Sequence, residues 1–307
     1  MTLFFTRRTY NAAKKKFTNN PAALTRFVQI TNGPDSRGRW SGGAISQSDW
    51  LREVKHEASS NEITIYVHGF NTDQIDMLRR LDKIKNGLRA QGNRGAVIGY
   101  DWPSDGKVFS YDQDRNRVKD TAHFLVSDGI LPLLAMSPRP KINLIAHSMG
   151  AYVILRGFSN FDDAAGPGAS AWRANEVAFL SGDVARNWLG KGAWGALLLS
   201  HRARRFTNYY SEGDRVLPIS AFTDGFRKRV GRDGLPSITE KTHFDVNATP
   251  QYLRDVPPGK RSKARSHRWW FDSSTLYADI AQTFAGQAPG SLATRQDLGE
   301  DDLALIS

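Results

Sequence analysis

Five short runs rich in β-branched, aromatic and other apolar residues, each closed by a polar loop, constrain this chain more than any other feature. They are Ile63–Val67 before His68 and Gly69, Ala96–Tyr100 before Asp101 and Trp102, Ile142–Ala146 before His147 and Ser148, Val177–Leu180 before Ser181 to Asp183, and Arg205–Tyr210 before Ser211. Runs of this kind, without strict alternation, are those of strands covered on both faces. Helical patterns lie between them. Asn71 or Thr72 is placed to cap a helix reaching about Ala90, with Ile75, Leu78, Leu81, Ile84 and Leu88 at helical spacing. Further helices are expected over about 113–134, 149–160 and Thr275–Ala285. The alternation predicts a mostly parallel central sheet with helices on both faces. Ligands of such sheets bind beyond the carboxyl ends of the strands.

The chain of 307 residues reads as one α/β domain over 1–307, with a basic segment (1–20) and a tail from about Gln287 (287–307) expected to be loosely held. Two stretches, about 184–203 and 221–262, interrupt the alternation and are candidates for small lid insertions over the site or for peripheral excursions. The net charge of +11 favours weak attraction to anionic surfaces. No zinc-finger spacing, RNP-like string or basic region leading into heptads accompanies it, so no specific nucleic-acid partner is expected. The absence of cysteine excludes disulfides, thiolate catalysis and Cys-ligated metals. The apolar run Leu3 to Phe5 is shorter than a secretory core, and no stretch approaches a membrane span, so a cytoplasmic location is expected. Oligomeric state leaves no trace in the sequence.

The chemistry is concentrated in Ala146-His147-Ser148-Met149-Gly150, which follows a strand candidate and opens a helical stretch. This is the context of a nucleophile elbow, in which a sharp strand-to-helix turn exposes a serine hydroxyl and needs small residues two before and two after it. Ala146 and Gly150 meet that need, Ala being a mild departure from the usual glycine. Ser148 would then sit at a helix N-terminus, where backbone N–H groups favour a developing oxyanion.

His68-Gly69-Phe70-Asn71 follows the first of the five strands, where this architecture draws one oxyanion donor; the other comes from the residue after the serine. Phe70 and Met149 are the expected backbone donors. His68 is expected to bond loop backbone. Trp102, at the end of the second strand, is a candidate for lining the substrate pocket or for packing the loop beneath it.

The strings Ile65–Thr72 (containing HGFN), Tyr100–Ser104 (containing WPS, with Tyr111 and Asp114 downstream) and Leu144–Gly150 (containing HSMG) resemble a largely uncharacterised bacterial α/β-hydrolase family, esterase- or lipase-like in character. The resemblance covers about residues 60–160. It implies the α/β-hydrolase fold and a serine-type triad, and it implies no particular substrate.

Triads on this fold run in the chain order serine, acid, histidine. Asp214, after the strand ending at Tyr210, is favoured as the acid, with Asp183 after the preceding strand as the alternative. His267, in a loop expected just before the C-terminal helix, is favoured as the base; His243, in an extended segment, is the alternative, and His201 precedes Asp214. The expected activity is hydrolysis of a small or medium acyl ester through an acyl-enzyme, without metal or organic cofactor. Amidase, peptidase or thioesterase chemistry would use the same groups, and a non-catalytic protein binding an anionic partner is the reading from another class. The basic run Lys260 to Arg265, with Arg268, is either a cationic rim or a solvated loop; Arg7, Arg8 and Lys14 to Lys16 read as solvated charge.

Overall fold

The computed structural model describes residues 1–35, 40–104, 111–165, 171–223, 225–299 and 303–306. Its strands are β1 (Thr2–Asn11), β2 (Lys16–Asn32), β3 (Ser41–Ile45), β4 (Glu62–Val67), β5 (Ala96–Asp101), β6 (Lys141–His147), β7 (Ala174–Leu180), β8 (Ala203–Tyr210), β9 (His243–Asn247), β10 (Arg295–Asp297) and β11 (Leu303–Leu305). They form one sheet in the order β10-β11-β9-β8-β7-β6-β4-β5-β1-β2-β3. The stretch from β11 to β1 is parallel throughout, and antiparallel pairs occur only at the two margins. The chain passes from β4 outward to β5, returns across β4 to β6, and then continues away through β7, β8 and β9. The order of strands therefore reverses between β4 and β6. In open sheets of this kind the strand-order reversal is where ligands bind, outside the carboxyl ends of the strands.

The helices are α1 (Gln47–Glu57), α2 (Gln74–Ala90), α3 (Tyr111–Thr121), α4 (Leu131–Leu134), α5 (Gly150–Ala165), α6 (Trp194–Arg202), α7 (Leu217–Thr223), α8 (Val230–Asp233), α9 (Thr249–Asp255), α10 (Lys263–Arg268) and α11 (Ser274–Phe284). Successive strand residues point to opposite faces, so each central strand feeds two cores. Ile63, Ile65 and Val67 of β4 pack with Trp50 and Val54 of α1 and with Val153 and Ile154 of α5. Tyr66 of β4 and Ile145 of β6 pack on the other face with Leu81 and Ile84 of α2 and Ile280 of α11. Among the described residues no helix is long and apolar enough to cross a membrane.

The N-terminal segment is not loose: β1 joins the parallel stretch beside β5, its Leu3 and Phe5 entering one core and Phe4 the other. Three apolar residues suffice for a strand whose faces are both covered. The tail returns to the sheet through β10 and β11, with Leu303 and Leu305 buried and Arg295 paired with Asp279 at 2.7 Å.

The cap of α2 is Asp73, whose Oδ1 accepts the Asp76 N–H at 2.8 Å, rather than Asn71 or Thr72. Asn71 holds a left-handed φ of 51°, and the Thr72 hydroxyl is bonded to the Phe70 carbonyl at 3.2 Å. The helix expected over 113–134 is divided into α3, a π-helical turn at Leu125–Ile130, and α4. Of the two candidate lids, the first supplies α6, the crossover from β7 to β8, and the second supplies β9 with its flanking helices.

Candidate active site

Ser148 lies between the end of β6 and the start of α5, directly at the reversal of strand order. Its φ of 55° is in the left-handed region, which costs a non-glycine residue on the order of 1–3 kcal/mol. The turn is held in that conformation from both sides. The Ser148 N–H donates to the Leu180 carbonyl at 3.1 Å, and its own carbonyl accepts from Ala151 at 3.1 Å and Asp183 at 3.0 Å. Gly150 is required on steric grounds, because an added Cβ would stand 2.3 Å from the Val67 carbonyl oxygen. Gly69 is required for the same kind of reason: its Cβ would lie 2.8 Å from the Cβ of Ser148. The loop after β4 thus rests directly on the elbow.

That loop carries Phe70, and the elbow carries Met149. Among the described residues neither backbone N–H is used in a hydrogen bond. The Phe70 ring meets Tyr111 edge-on, with centroids 5.6 Å apart.

Asp214 stands in the loop after β8 and is fully buried. Its Oδ1 accepts the N–H groups of Val216 (2.8 Å) and Leu217 (3.2 Å), and its Oδ2 accepts the Ser181 hydroxyl (2.8 Å) and His267 Nδ1 (2.6 Å). Burial alone would raise this carboxyl. The adjoining His267, with Ser181 and the Val216 N–H, outweighs it and holds Asp214 below the usual carboxylate range. Ser181 is itself fixed at a φ of 47° and accepts the Trp270 indole N–H at 2.9 Å.

His267 sits in the short helix α10 rather than in the loop expected for it. The hydroxyl of Ser266, its neighbour, accepts the Arg215 N–H at 3.1 Å, so the chain segments bearing His267 and Asp214 are joined a second time. The His147 ring packs against that of His267 with centroids 4.7 Å apart, which sets His267 beside the elbow. With Nδ1 given to Asp214, Nε2 is the basic nitrogen. Among the described residues neither Nε2 nor the Ser148 hydroxyl is engaged in a hydrogen bond, with each other or elsewhere.

Chemically, this is a serine on a strained turn whose preceding residue packs against a carboxylate-bonded imidazole, with two backbone N–H groups nearby in the chain that make no hydrogen bond among the described residues. A family profile described as alpha/beta hydrolase of unknown function (DUF900) matches residues 44–247. The chain belongs to that family. The DUF900 match takes in Ser148, Asp214 and both oxyanion candidates; β1, β2 and His267 lie outside it.

Beyond the family, the chain is similar to the uncharacterized protein alr1448 of Nostoc sp. (strain PCC 7120), with 41% identity over 59 residues. That stretch is 19% of this chain and 15% of that protein. Among solved structures, the dienelactone hydrolase of Anabaena variabilis is 12% identical, covering 80% of this chain and 98% of its own, with a TM-score of 0.40. Est1E of Butyrivibrio proteoclasticus is 10% identical over 86% and 95% of the two chains, with a TM-score of 0.37. A cutinase of Trichoderma reesei in complex with a phosphonate inhibitor is 15% identical over 47% and 58%, with a TM-score of 0.29.

The remaining sequence candidates in this DUF900 member fall elsewhere. Asp183 keeps its backbone at the elbow, but its carboxylate accepts the hydroxyls of Tyr111 (2.9 Å) and Ser220 (2.7 Å) and pairs with the buried Arg229 (3.2 Å). Those bonds occupy it away from any histidine. His243 begins β9, at the opposite end of the strand from the site, and its Nε2 shares a hydrogen bond with Ser200 at 3.2 Å. Burial lowers it to about 4. Trp102 does not line a pocket: it is fully buried, stacks on His68 at 5.3 Å and donates its indole N–H to the His68 carbonyl at 2.8 Å. His68 is structural, its ring nitrogens facing the Gly69 carbonyl at 3.0 Å and Asp101 at 3.2 Å.

Arg8 departs furthest from its sequence expectation. Arg8, taken from the sequence as solvated charge, is fully buried. Its guanidinium donates to Asp101 (2.7 Å), Asn19 (2.6 Å), the Ser104 carbonyl (3.0 Å) and the Thr72 carbonyl (2.8 Å). It therefore ties β1 to the loops after β4 and β5. Burial would raise Asp101, but Arg8 and His68 prevail and hold it at about 2. The signal was the position of Arg8 on an apolar strand. Among the described residues no group of three or more His, Asp or Glu side chains is placed to hold a metal ion.

Proposed function

We propose that the protein is a serine hydrolase that cleaves carboxylic esters, with Ser148 as nucleophile, His267 as base and Asp214 as its orienting acid. The observation that carries the reading is the 2.6 Å bond from His267 Nδ1 to Asp214, with the His267 ring packed against the residue preceding the strained Ser148.

In this mechanism the Ser148 oxygen attacks the ester carbonyl carbon while His267 Nε2 takes its proton. Asp214 fixes the Nδ1–H tautomer and stabilises the imidazolium. The Phe70 and Met149 N–H groups receive the carbonyl oxygen as it becomes negative, each worth about 2.7–4 kcal/mol on the scale for such donors. His267 returns the proton to the departing alcohol, and water, deprotonated by the same imidazole, releases the acid from the acyl-serine.

A fluorophosphonate probe tests the nucleophile: labelling should vanish in Ser148→Ala and persist in Ser181→Ala. Folded wild-type protein that takes no label would point to a binding role instead. Chromogenic acyl esters of varied length, run beside anilides and thioesters, test the bond; preference for anilides or thioesters would overturn the ester assignment.

A further inference from the structure

Beside the candidate site, α2, α10 and the turn after α10 line an open cavity of about 400 Å³ that Phe271 also borders. One wall presents Arg79, Arg80 and Lys83, and the other Arg265 and Arg268. The carboxylates lining it are those of Asp76 and Asp272. Asp272 is taken by Lys83 and Arg265, each at 2.6 Å, and Asp76 by Arg79 at 3.5 Å and Arg80 at 3.9 Å. Three positive charges remain in excess.

Arg268 is the odd member. Its side chain is half-buried, and among the described residues its guanidinium makes no hydrogen bond or ion pair. Burial, and after it the like charge of Arg80, lowers its pKa against the opposing pull of Asp76 and Tyr66. Arg80 is itself almost fully buried, anchored to the Thr72 hydroxyl at 2.8 Å with its guanidinium 5.6 Å from the Phe271 ring centroid. Leaving a guanidinium partly desolvated, unpaired and facing a second one opposes folding. A group that destabilises the chain in this way is explained by a ligand that neutralises it.

We propose that this cavity is a binding site for a phosphate group. Guanidinium forks match the tetrahedral oxyanion, and the excess of three charges suits a dianion better than a carboxylate. The site is separate from the Ser148 hydroxyl and does not depend on the hydrolase reading. The phosphate is carried either by a small soluble molecule or by a lipid headgroup, and the two sources are distinguished by the probe used.

The test compares wild type with Arg268→Gln. Inorganic phosphate should raise the Tm of the wild type saturably, beyond sodium chloride at equal ionic strength. Arg268→Gln should weaken that affinity by about tenfold or more, the loss of one charge-assisted bond. In phosphate-free buffer the variant should melt at or above the wild-type temperature, because an uncompensated charge is gone; a residue needed only for structure would lower it.

Cosedimentation with phosphatidylcholine vesicles, with and without phosphatidic acid, supplies the lipid arm. Binding that requires phosphatidic acid and is lost in Arg268→Gln supports the site with a lipid source. Should Arg268→Gln fail to fold, Arg265→Gln at the more exposed rim carries the affinity comparison alone, its own pairing with Asp272 ruling out the Tm comparison in phosphate-free buffer. The proposal is overturned if wild type neither distinguishes phosphate from chloride nor binds the acidic vesicles, or if the folded variant responds as wild type does.

Discussion

His147 donates from Nε2 to the backbone carbonyl of His267 at 2.8 Å, so the residue preceding the elbow serine holds the main chain of the histidine paired with Asp214. The bond crosses 120 positions of sequence and links the end of β6 to α10. Burial first, then the charges of His267 and Arg80, hold His147 well below the ordinary imidazole value. It is therefore a neutral donor near pH 7.

His147→Phe keeps a ring against Phe271, whose centroid is 5.0 Å away, and removes the donor. Loss of one hydrogen bond of about 1–1.5 kcal/mol predicts kcat lower by roughly tenfold with KM little changed. Steady-state kinetics on a chromogenic ester reads this directly. An unchanged kcat would mean that α10 is held by packing alone.

The buried histidines also set the acid limit of stability. His147, His68 and His243 all have depressed values in the fold, chiefly by burial. Near pH 7 they are neutral in both folded and unfolded chains. As pH falls below 6.5 the unfolded chain takes up protons that the folded one refuses, so stability is lost, down to about 4 for His243. Each such group contributes up to about 1.4 kcal/mol per pH unit in its window. Urea denaturation at pH 7 and pH 5 should show the drop, and His243→Gln should reduce it.

How much of this was legible in the sequence depended on how local the physics is. The elbow needs a strand, two small residues and a helix within a few positions, so Ala146 to Gly150 announced it. Asp214 and His267 are 53 positions apart and were reachable only through chain order. The role of His147 was hidden because that position of the pentapeptide tolerates any side chain. Arg8 was misread because its partners arrive from residues up to 96 positions away, and a charge near a terminus ordinarily faces water. Leu303 and Leu305 stand in an acidic context that masked a strand completed only by pairing with β9.

Removing the Arg8 guanidinium should therefore act on both stability and turnover. Arg8→Met leaves Asp101 buried without its guanidinium partner, and breaking such a pair costs about 3–5 kcal/mol. The Thr72 and Ser104 carbonyls lose their donor as well, which loosens the loop bearing Phe70. Arg8→Lys restores the charge without the fork and should recover stability better than kcat. Chemical denaturation beside ester kinetics separates the two effects.

Gly69→Ala tests the seating of that loop on the elbow. The new methyl would lie 2.8 Å from Ser148 Cβ and 2.9 Å from the His147 carbonyl oxygen, so the loop must lift. A displacement approaching 1 Å at a reacting centre costs on the order of 10²-fold. The rate of fluorophosphonate labelling should fall by that order while the fold, followed by circular dichroism, is kept. Normal labelling would show that the Phe70 N–H is not a working donor.

Paired substitutions at the two acids and two histidines decide the assignment of the triad. Asp214→Asn removes the acceptor that holds His267 in its Nδ1–H tautomer and should lower kcat by roughly 10⁴-fold. Asp183→Asn instead weakens the buried pair with Arg229, so its main effect should be a lower Tm with a far smaller loss of turnover. In the same way His267→Ala should lower kcat about as far as Ser148→Ala, since the members of a triad act as a unit. His243→Ala, at the other end of β9, should cost stability and leave kcat close to wild type. Collapse of kcat in Asp183→Asn or His243→Ala, with Asp214→Asn or His267→Ala still active, would transfer the role to the other residue.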